Sequence, residues 1–269
     1  MSHRARKRFG QHFLHDRNTI ARIVDAIRPE PGDHLVEIGP GQGAITEPLL
    51  ATGAQLTAVE IDRDLAASLR ARYAAHPRFT LIEDDVLKAP LDSLQPTPLR
   101  LVGNLPYNIS TPLIFHLLAQ TGAIADMTFM LQKEVVERLT AAPGGKDYGR
   151  LSVMVQYHCQ ADYLFPVPPG AFQPPPKVDS AVVRLIPYAH PPWPAIDPAW
   201  LSRLVAQAFS QRRKAIRNSL KTLIAPEVFD TAGIDPGLRP DHLPVADYVT
   251  LANATAPKPG PGTTKEPTP

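Results

Sequence analysis

Short apolar runs alternate with longer amphipathic stretches in the first half of the chain. The runs are rich in Val, Ile, Leu, Phe or Thr and are bounded by Gly, Pro or Asp, a pattern that predicts buried strands. They lie at His34–Ile38, Gln55–Glu60, Phe79–Glu83, Leu99–Gly103 and Met127–Leu131. Because strands that alternate with long helices need crossover connections, we expect a doubly wound α/β domain, with a parallel sheet covered by helices on both faces.

The pattern changes after Tyr148. Two further apolar runs, Leu151–Cys159 and Lys177–Ile186, flank the turn-rich segment FPVPPGAFQPPP, which no helix could occupy. We interpret the two runs as an antiparallel pair of strands that completes the sheet.

A small helical domain is predicted beyond the proline-rich stretch PYAHPPWPAIDP. Asp197 is a candidate N-cap with Pro198 at the first helical position, and a second helix is expected to bury Ile216, Leu220 and Leu223. The final segment is too polar and proline-rich to order itself. The predicted division is an α/β domain with a basic arm over residues 1–187, a helical domain over 188–253 and a disordered tail over 254–269.

The composition narrows the class of protein. Of 269 residues, 43% are hydrophobic and one, Cys159, is a cysteine, so the chain can bury a core but cannot form an intramolecular disulfide or a thiol-rich metal cage. No apolar run approaches the ~20 residues that cross a bilayer, and the basic start MSHRARKRFG is not followed by the apolar region of a secretory signal. We therefore expect a cytoplasmic protein that is not inserted in a membrane.

Basic residues are unevenly distributed, although the net charge is only +2. They crowd the first ten residues and a later helical stretch, and no acid accompanies them there. The candidates for contacts to phosphates are Arg4, Arg6, Lys7, Arg8, Arg213, Arg217 and Lys221. Such clusters can bind a polyanion, or they can be solvated charged faces.

A glycine-rich loop, VEIGPGQGAITEPLL, follows the first predicted strand and contains Gly39, Gly41 and Gly43. Glycine lets the backbone turn sharply and approach a ligand closely at the carboxyl ends of strands, where doubly wound folds bind nucleotides. The spacing also fits the dinucleotide fingerprint, because Ala44 is allowed as its last member. A tight turn without a ligand is the alternative.

Two acids follow the next two strands. Glu60 ends the second strand, where it can accept hydrogen bonds from ribose hydroxyls, and Asp85 follows the third, where it can accept one from an adenine amino group. Either acid alone could be a solvated residue at a strand end. Together they indicate a nucleoside ligand, but they do not distinguish NAD from an adenosyl cofactor.

The sequence Asn104-Leu105-Pro106-Tyr107 follows the fourth strand and separates these two ligands. The Asn104 amide oxygen and the adjacent backbone carbonyl are acceptors, and the Tyr107 ring offers a stacking face, so the turn suits a flat molecule that carries an NH₂ group. Hydride transfer has no use for this arrangement.

With these motifs the chain resembles the S-adenosylmethionine-dependent RNA adenine N6-dimethyltransferases, and specifically the bacterial small-subunit ribosomal RNA dimethyladenosine transferase family. The resemblance extends through RKRFGQHFL, VEIGPGQGAITEPL, AVEIDRDL, GNLPYNISTPLIF, FMLQKEVVERL, YGRLSVMVQY, FQPPPKVDSAVVRL and QRRKAIRNSL. It implies a Rossmann-like class I methyltransferase domain followed by a helical domain that binds RNA or the ribosome. It also implies dimethylation of two adjacent adenosines in a hairpin loop near the 3′ end of small-subunit ribosomal RNA, during subunit assembly.

The resemblance implies roles for individual residues. Gly39 and Gly41 would hold the methionine end of the cofactor, Glu60 the ribose and Asp85 the adenine amine, while Asn104 would lie between the cofactor and the target base. We expect no metal at this site, a monomeric protein, and the small ribosomal subunit with its RNA as partner.

Three further residues and the tetrapeptide complete the implied site. His12 and Leu14 would close over the cofactor, although His12 stands where the family commonly has Asn. Phe172 would form a second aromatic wall for the target adenine, opposite Tyr107, or else it is a local core residue. The residues implied for catalysis are Asn104, Leu105, Pro106, Tyr107 and Phe172.

Three other functions remain open at this stage. A large-subunit ribosomal RNA dimethylase that confers antibiotic resistance would share the catalytic motifs, but YGRLSVMVQ and QRRKAIRNSL favour the small-subunit branch. A non-catalytic RNA-binding assembly factor could keep the fold, but the intact tetrapeptide argues against lost activity. An NAD oxidoreductase would be distinguished by binding NADH rather than S-adenosylhomocysteine.

Overall fold

The computed structural model describes residues 11–89 and 91–257, which form two compact units. The first unit combines residues 11–141 with 158–189, and the second combines 142–157 with 190–257. The segment 142–157 therefore belongs to the second unit, whereas the sequence pattern grouped it with the α/β domain. The basic arm Arg4–Arg8 and most of the predicted tail lie outside the described residues.

The described strands and helices follow one another in the order that a doubly wound fold requires. The strands are β1 (Phe13–Leu14), β2 (His34–Ile38), β3 (Gln55–Val59), β4 (Phe79–Ile82), β5 (Leu99–Asn104), β6 (Ile124–Gln132), β7 (Cys159–Val167), β8 (Phe172–Gln173) and β9 (Ser180–Pro187). The α-helices are α1 (Arg17–Ile27), α2 (Thr46–Ala51), α3 (Arg63–Tyr73), α4 (Ser110–Leu118), α5 (Lys133–Leu139), α6 (Arg150–His158), α7 (Pro198–Ser210), α8 (Ile216–Leu220), α9 (Pro226–Ala232) and α10 (Val245–Thr255).

In the described part of the chain, seven strands form one sheet in the order β4-β3-β2-β5-β6-β9-β7. The strands β2 to β6 pair in parallel, and β9 pairs antiparallel with both β6 and β7. The five strands predicted from the apolar runs are confirmed. The chain leaves β2 toward β4 and then returns to the other side of β2 as β5, which opens a crevice at the carboxyl ends of these strands.

One predicted strand is wrong. The run Leu151–Cys159 is not a strand but the helix α6, which covers Arg150–His158. Six of its nine residues are buried, Ser152 among them, so the helix is covered on most sides and the apolar residues of its sequence lack a clear helical period. The antiparallel pair at the end of the sheet exists, but its members are β7 and β9.

The second unit is helical, as predicted. The side chain of Asp197 accepts a hydrogen bond from the Trp200 backbone N–H at 3.0 Å and so caps α7, which confirms the predicted helix start. The second predicted helix is shorter than expected, because α8 ends at Leu220. Helix α10 extends to Thr255 and so includes the first residues of the predicted tail. Within residues 11–89 and 91–257, no helix is long and apolar enough to cross a membrane.

Candidate active site

A cavity of about 350 Å³ opens at the carboxyl ends of β2 to β5, within the first unit. Its walls come from the loops that follow these four strands and from the segment around β1. The volume lies in the range typical of small-molecule sites. The crevice where the strand order reverses is therefore also the place where this unit can hold a ligand.

The glycine loop after β2 forms one wall in a conformation that requires glycine. Gly39 and Gly41 have φ values of +66° and +60°, a region that other residues rarely adopt. A Cβ atom added to Gly41 would lie 3.3 Å from Cδ1 of Phe13. The loop thus passes close beneath β1 and leaves its backbone free to approach a ligand.

Glu60 lies at the base of the cavity and is 5% exposed. Its two carboxylate oxygens accept hydrogen bonds from the backbone N–H groups of Asp62 at 2.9 Å and Gly41 at 3.1 Å. Burial raises the pKa of Glu60, and these hydrogen bonds oppose the shift. A carboxylate can accept about four hydrogen bonds, so acceptor capacity remains for ligand hydroxyls.

Asp85 lies on the cavity wall after β4, as the sequence predicted. One of its carboxylate oxygens accepts the Leu87 backbone N–H at 3.0 Å, and the Asp85 N–H donates to the Asp84 side chain at 2.7 Å. These two bonds fix the turn that presents the carboxylate. The structure therefore brings Glu60 and Asp85 to the same cavity.

Asn104 is the last residue of β5, and its side-chain amide has a defined orientation. The Nδ2 group donates a hydrogen bond of 3.1 Å to the backbone carbonyl of His12. Because nitrogen and oxygen diverge from the amide carbon, Oδ1 points away from that carbonyl and is left as an acceptor. The amide lies on the cavity wall, so this acceptor is available to a ligand there.

The rest of the tetrapeptide forms a tight turn at the same wall. Leu105 is buried and its N–H donates to the Met130 carbonyl at 3.0 Å. The Pro106 carbonyl accepts the Ile109 N–H at 3.2 Å, which directs the chain into α4. Tyr107 is half-buried, and its hydroxyl lies 2.6 Å from Oγ of Ser180.

Strand β1 forms part of the cavity wall and pairs antiparallel with β8. We call this two-stranded sheet the clasp. Just before it, Nδ1 of His12 donates to the Pro174 carbonyl at 2.8 Å, and the His12 ring stacks on that of Tyr107 with centroids 5.7 Å apart. His12 and Leu14 both line the cavity, and their predicted closure over the cofactor stays a prediction. The His12 side chain therefore has both a hydrogen-bond partner and a stacking partner within the protein.

Phe172 is placed differently from the predicted wall. It is 2% exposed and belongs to the apolar core, where its backbone pairs with that of Leu14 in the clasp. Among the residues that the structure describes, Phe172 does not line the cavity. Its ring packs in the core because strand alternation in β8 directs it inward while Gln173 is exposed. The alternative of a local core residue fits this placement, and the stacking role stays a prediction.

Glu37 is a cavity residue that the sequence analysis did not assign to the site. It is the last residue but one of the buried strand β2, is 1% exposed, and accepts a hydrogen bond of 2.6 Å from the Thr46 hydroxyl. Burial raises the pKa of Glu37 to about 8. An acid inside an apolar strand, directly before the glycine loop, was the signal that could have identified it.

The predicted RNA-binding residues of the second unit are exposed, but they do not share one helical stripe. Arg213 precedes α8, Arg217 lies within it and Lys221 is its C-cap. In the described part of the chain, no group of three or more His, Cys, Asp and Glu residues could hold a metal ion.

The cavity lies where the strand order reverses, Glu60 and Asp85 follow β3 and β4, and the amide of Asn104 lies at the end of β5. This combination is that of a Rossmann-like class I methyltransferase. Comparison with known families agrees, since a model of the ribosomal RNA adenine dimethylases matches residues 2–256. The chain belongs to this family, whose members are S-adenosylmethionine-dependent enzymes.

Relatives and solved structures are consistent with this membership. The chain is 65% identical to ribosomal RNA small subunit methyltransferase A of Alcanivorax borkumensis, over 95% of this chain and 91% of that protein. It is 58% identical to the protein of the same name from Pseudomonas aeruginosa, over 96% and 97% of the two chains.

Two solved structures share the fold. A dimethyladenosine transferase from Plasmodium falciparum superimposes with a TM-score of 0.77 at 26% identity, over 89% of this chain and 96% of that one. The 23S rRNA methyltransferase ErmE gives a TM-score of 0.70 at 30% identity, over 90% and 99%.

The cavity fits S-adenosylmethionine. The positive φ values of Gly39 and Gly41 form a cradle that a side chain would fill, which leaves room for the methionine end. The buried carboxylate of Glu60 retains acceptor capacity where a ribose would bind. Asp85 and Asn104 line the same cavity.

Proposed function

We propose that this protein dimethylates N6 of two adjacent adenosines in a hairpin loop near the 3′ end of small-subunit ribosomal RNA, during subunit assembly. The observation that carries the proposal is the Asn104 amide, whose Nδ2 is held by the His12 carbonyl and whose oxygen is left as an acceptor at the cavity. The identity of 65% to a protein named as a small-subunit methyltransferase supports this RNA as the substrate.

Residues of the first unit bind the cofactor in this proposal. Gly39 and Gly41 hold its methionine end, Glu60 accepts hydrogen bonds from the ribose hydroxyls, and Asp85 accepts one from the adenine amine. Leu14 and the backbone of His12 close the cavity from the clasp side.

The cofactor supplies an electrophilic methyl group on a positively charged sulfur atom. Asn104 Oδ1 and the Leu105 carbonyl would accept hydrogen bonds from the two N–H groups of the adenine amine, which would turn the nitrogen lone pair out of the ring π system and toward the methyl carbon. The new bond from nitrogen to the methyl carbon would replace the bond from sulfur to that carbon, and S-adenosylhomocysteine would leave. Tyr107 stacks on the target base. A well-oriented pair of reactants can remove about 7–11 kcal/mol of a barrier, so no strong general base is needed and the proton can leave to water.

The ribosomal partner is engaged by basic residues in this proposal. Exposed Arg213, Arg217 and Lys221 of the second unit contact phosphates, together with the arm Arg4–Arg8 that lies outside the described residues. The target bases are unstacked in an RNA loop and can reach the cavity. We further propose that the protein acts as a monomer in the cytoplasm.

The Asn104→Ala variant tests the mechanism. We expect the rate of methyl transfer to fall at least about 100-fold, because the base loses its positioning acceptor, while the affinity for S-adenosylhomocysteine changes less than about fivefold. The rate is measured on small subunits that lack the modification, and the affinity by calorimetry. The control is Asn18→Ala, which removes an exposed amide from α1.

Near-normal methylation by Asn104→Ala would contradict the mechanism. The choice of RNA is tested separately by mass spectrometry of ribosomal RNA from cells with and without the gene. Loss of the dimethyladenosines from large-subunit RNA alone would contradict the assigned substrate and favour the type of reaction named for ErmE.

A further inference from the structure

Ser180 is a buried residue that lies next to the tetrapeptide turn. It is the first residue of β9 and is 0% exposed. It pairs with Gln132 of β6 on one side and with Val167 of β7 on the other, so its backbone is held by two neighbouring strands. A side chain on such a backbone has little freedom to move.

The Ser180 hydroxyl forms a hydrogen bond of 2.6 Å with the hydroxyl of Tyr107. Burial raises the pKa of Tyr107, so the phenol keeps its proton at neutral pH and is neither a base nor a nucleophile. Among the described residues that line the cavity, Tyr107 is present and Ser180 is not. The contact therefore connects the aromatic face of the site to the sheet without placing Ser180 at the reacting atoms.

We propose that Ser180 is a positioning residue that sets the orientation of the Tyr107 ring and thereby the place of the target base. This inference rests on the proposed function, in which the base stacks on Tyr107. The ring of a tyrosine turns about two side-chain torsions, and a hydrogen bond at its hydroxyl end fixes the first, which sets the direction of the ring axis. The hydroxyl oxygen lies on the axis of the second torsion, so contacts with the faces of the ring restrict that torsion instead. The His12 ring, 5.7 Å away, limits movement on one side of the ring.

Removing the tether should affect RNA methylation and leave cofactor binding intact. For Ser180→Ala we expect kcat on unmodified small subunits to fall roughly tenfold, because the phenol loses its partner and the ring is no longer fixed. The affinity for S-adenosylhomocysteine should stay within about twofold, since Ser180 lies away from the cavity wall. Ser180→Thr retains a hydroxyl and should recover most of the rate.

A double-mutant cycle separates positioning from a general structural effect. Tyr107→Phe removes the same bond from the other side, so Ser180→Ala combined with Tyr107→Phe should be no slower than the slower single variant. The matched control is Thr128→Val in the neighbouring strand β6. It deletes a buried hydroxyl that has no hydrogen-bond partner in the described structure, and we expect an unchanged kcat.

Two results would overturn the inference: a wild-type kcat for Ser180→Ala, or losses that multiply in the double variant. If Ser180→Ala does not fold, Tyr107→Phe decides, because a wild-type kcat for that variant shows that the bond is not needed. Failure of the proposed function gives a different result, since the wild-type protein would then not methylate small subunits at all.

Discussion

The carboxyl group of Glu37 lies beneath the glycine loop, with the Thr46 hydroxyl as a hydrogen-bond donor and almost no contact with solvent. Burial disfavours its charged form and raises its pKa to about 8, and the nearby Glu60 carboxylate adds to the shift. At neutral pH the folded protein therefore keeps a proton on Glu37 that the unfolded chain releases.

The raised pKa of Glu37 should make the free energy of unfolding depend on pH. For an acid whose pKa rises on folding, the native state binds more protons than the unfolded state between the two pKa values. Ionisation of Glu37 in the unfolded chain should therefore lower the free energy of unfolding as the pH rises from the ordinary pKa of 4.5 to about 8, the pKa in the folded protein. The slope from this group is at most about 1.4 kcal/mol per pH unit.

The variant Glu37→Gln should remove this slope. Relative to the wild type, its free energy of unfolding should increase with pH over this window, as measured by urea denaturation at several pH values. Glu47→Gln, on the exposed side of α2, is the control for loss of a carboxyl group without burial. A difference between Glu37→Gln and wild type that is the same at every pH would contradict the prediction.

At the scale of elements, the clasp connects the start of the described chain to the segment before β9. Its pairs are Phe13 with Gln173 and Leu14 with Phe172, and the His15 N–H donates to the Ala171 carbonyl at 3.0 Å. The bond from His12 Nδ1 to the Pro174 carbonyl extends this pairing by one side-chain contact. Because the His12 carbonyl also accepts a hydrogen bond from Asn104, movement of the clasp would change the orientation of the Asn104 amide.

The second prediction tests that contact. His12→Ala removes the bond to Pro174 and the stacking on Tyr107, so hydrogen exchange at the backbone amides of residues 13–15 should be faster by about five- to tenfold. His15→Ala is the matched control, since His15 is exposed and uses its backbone N–H in the same segment. Equal exchange in the two variants would show that the side chain of His12 does not hold the clasp.

Sequence pattern predicted the parallel sheet because its strands are short apolar runs between turn residues. It failed for α6, since a helix that is buried on nearly all sides lacks the period that distinguishes it from a strand. It left two alternatives for Phe172, an aromatic wall or a core residue, because the direction of this side chain depends on the pairing of β8 with β1. Tyr107 and Ser180 are 73 residues apart, and the register of β9 brings them together, so no local pattern could predict their contact.

At the scale of the whole molecule, the cavity and one of the two basic clusters proposed to contact RNA belong to different units. The cavity lies entirely in the first unit, and Arg213, Arg217 and Lys221 lie in the second. Neutralising these residues should therefore weaken RNA binding and leave cofactor binding unchanged.

The third prediction is a salt dependence. Replacing Arg213, Arg217 and Lys221 by Ala should make the plot of log affinity for small subunits against log salt concentration less steep by about 2 to 3. Each phosphate contact that is lost means that fewer counterions are released from the RNA on binding. The charge-matched control replaces Arg63, Arg70 and Lys88, which are exposed in the first unit. An unchanged slope in the first variant would place the RNA surface elsewhere.

Because β1 and β8 are far apart in the chain, the order of synthesis determines when they can pair. A ribosome making this chain would release the parallel strands and the loops after β2 to β5 well before it reached Phe172. A growing polypeptide would therefore contain the loops that line the cavity but not β8, the strand with which β1 pairs. Only after the second partner had emerged could the amino-terminal segment be fastened and the methyl-transfer geometry be completed.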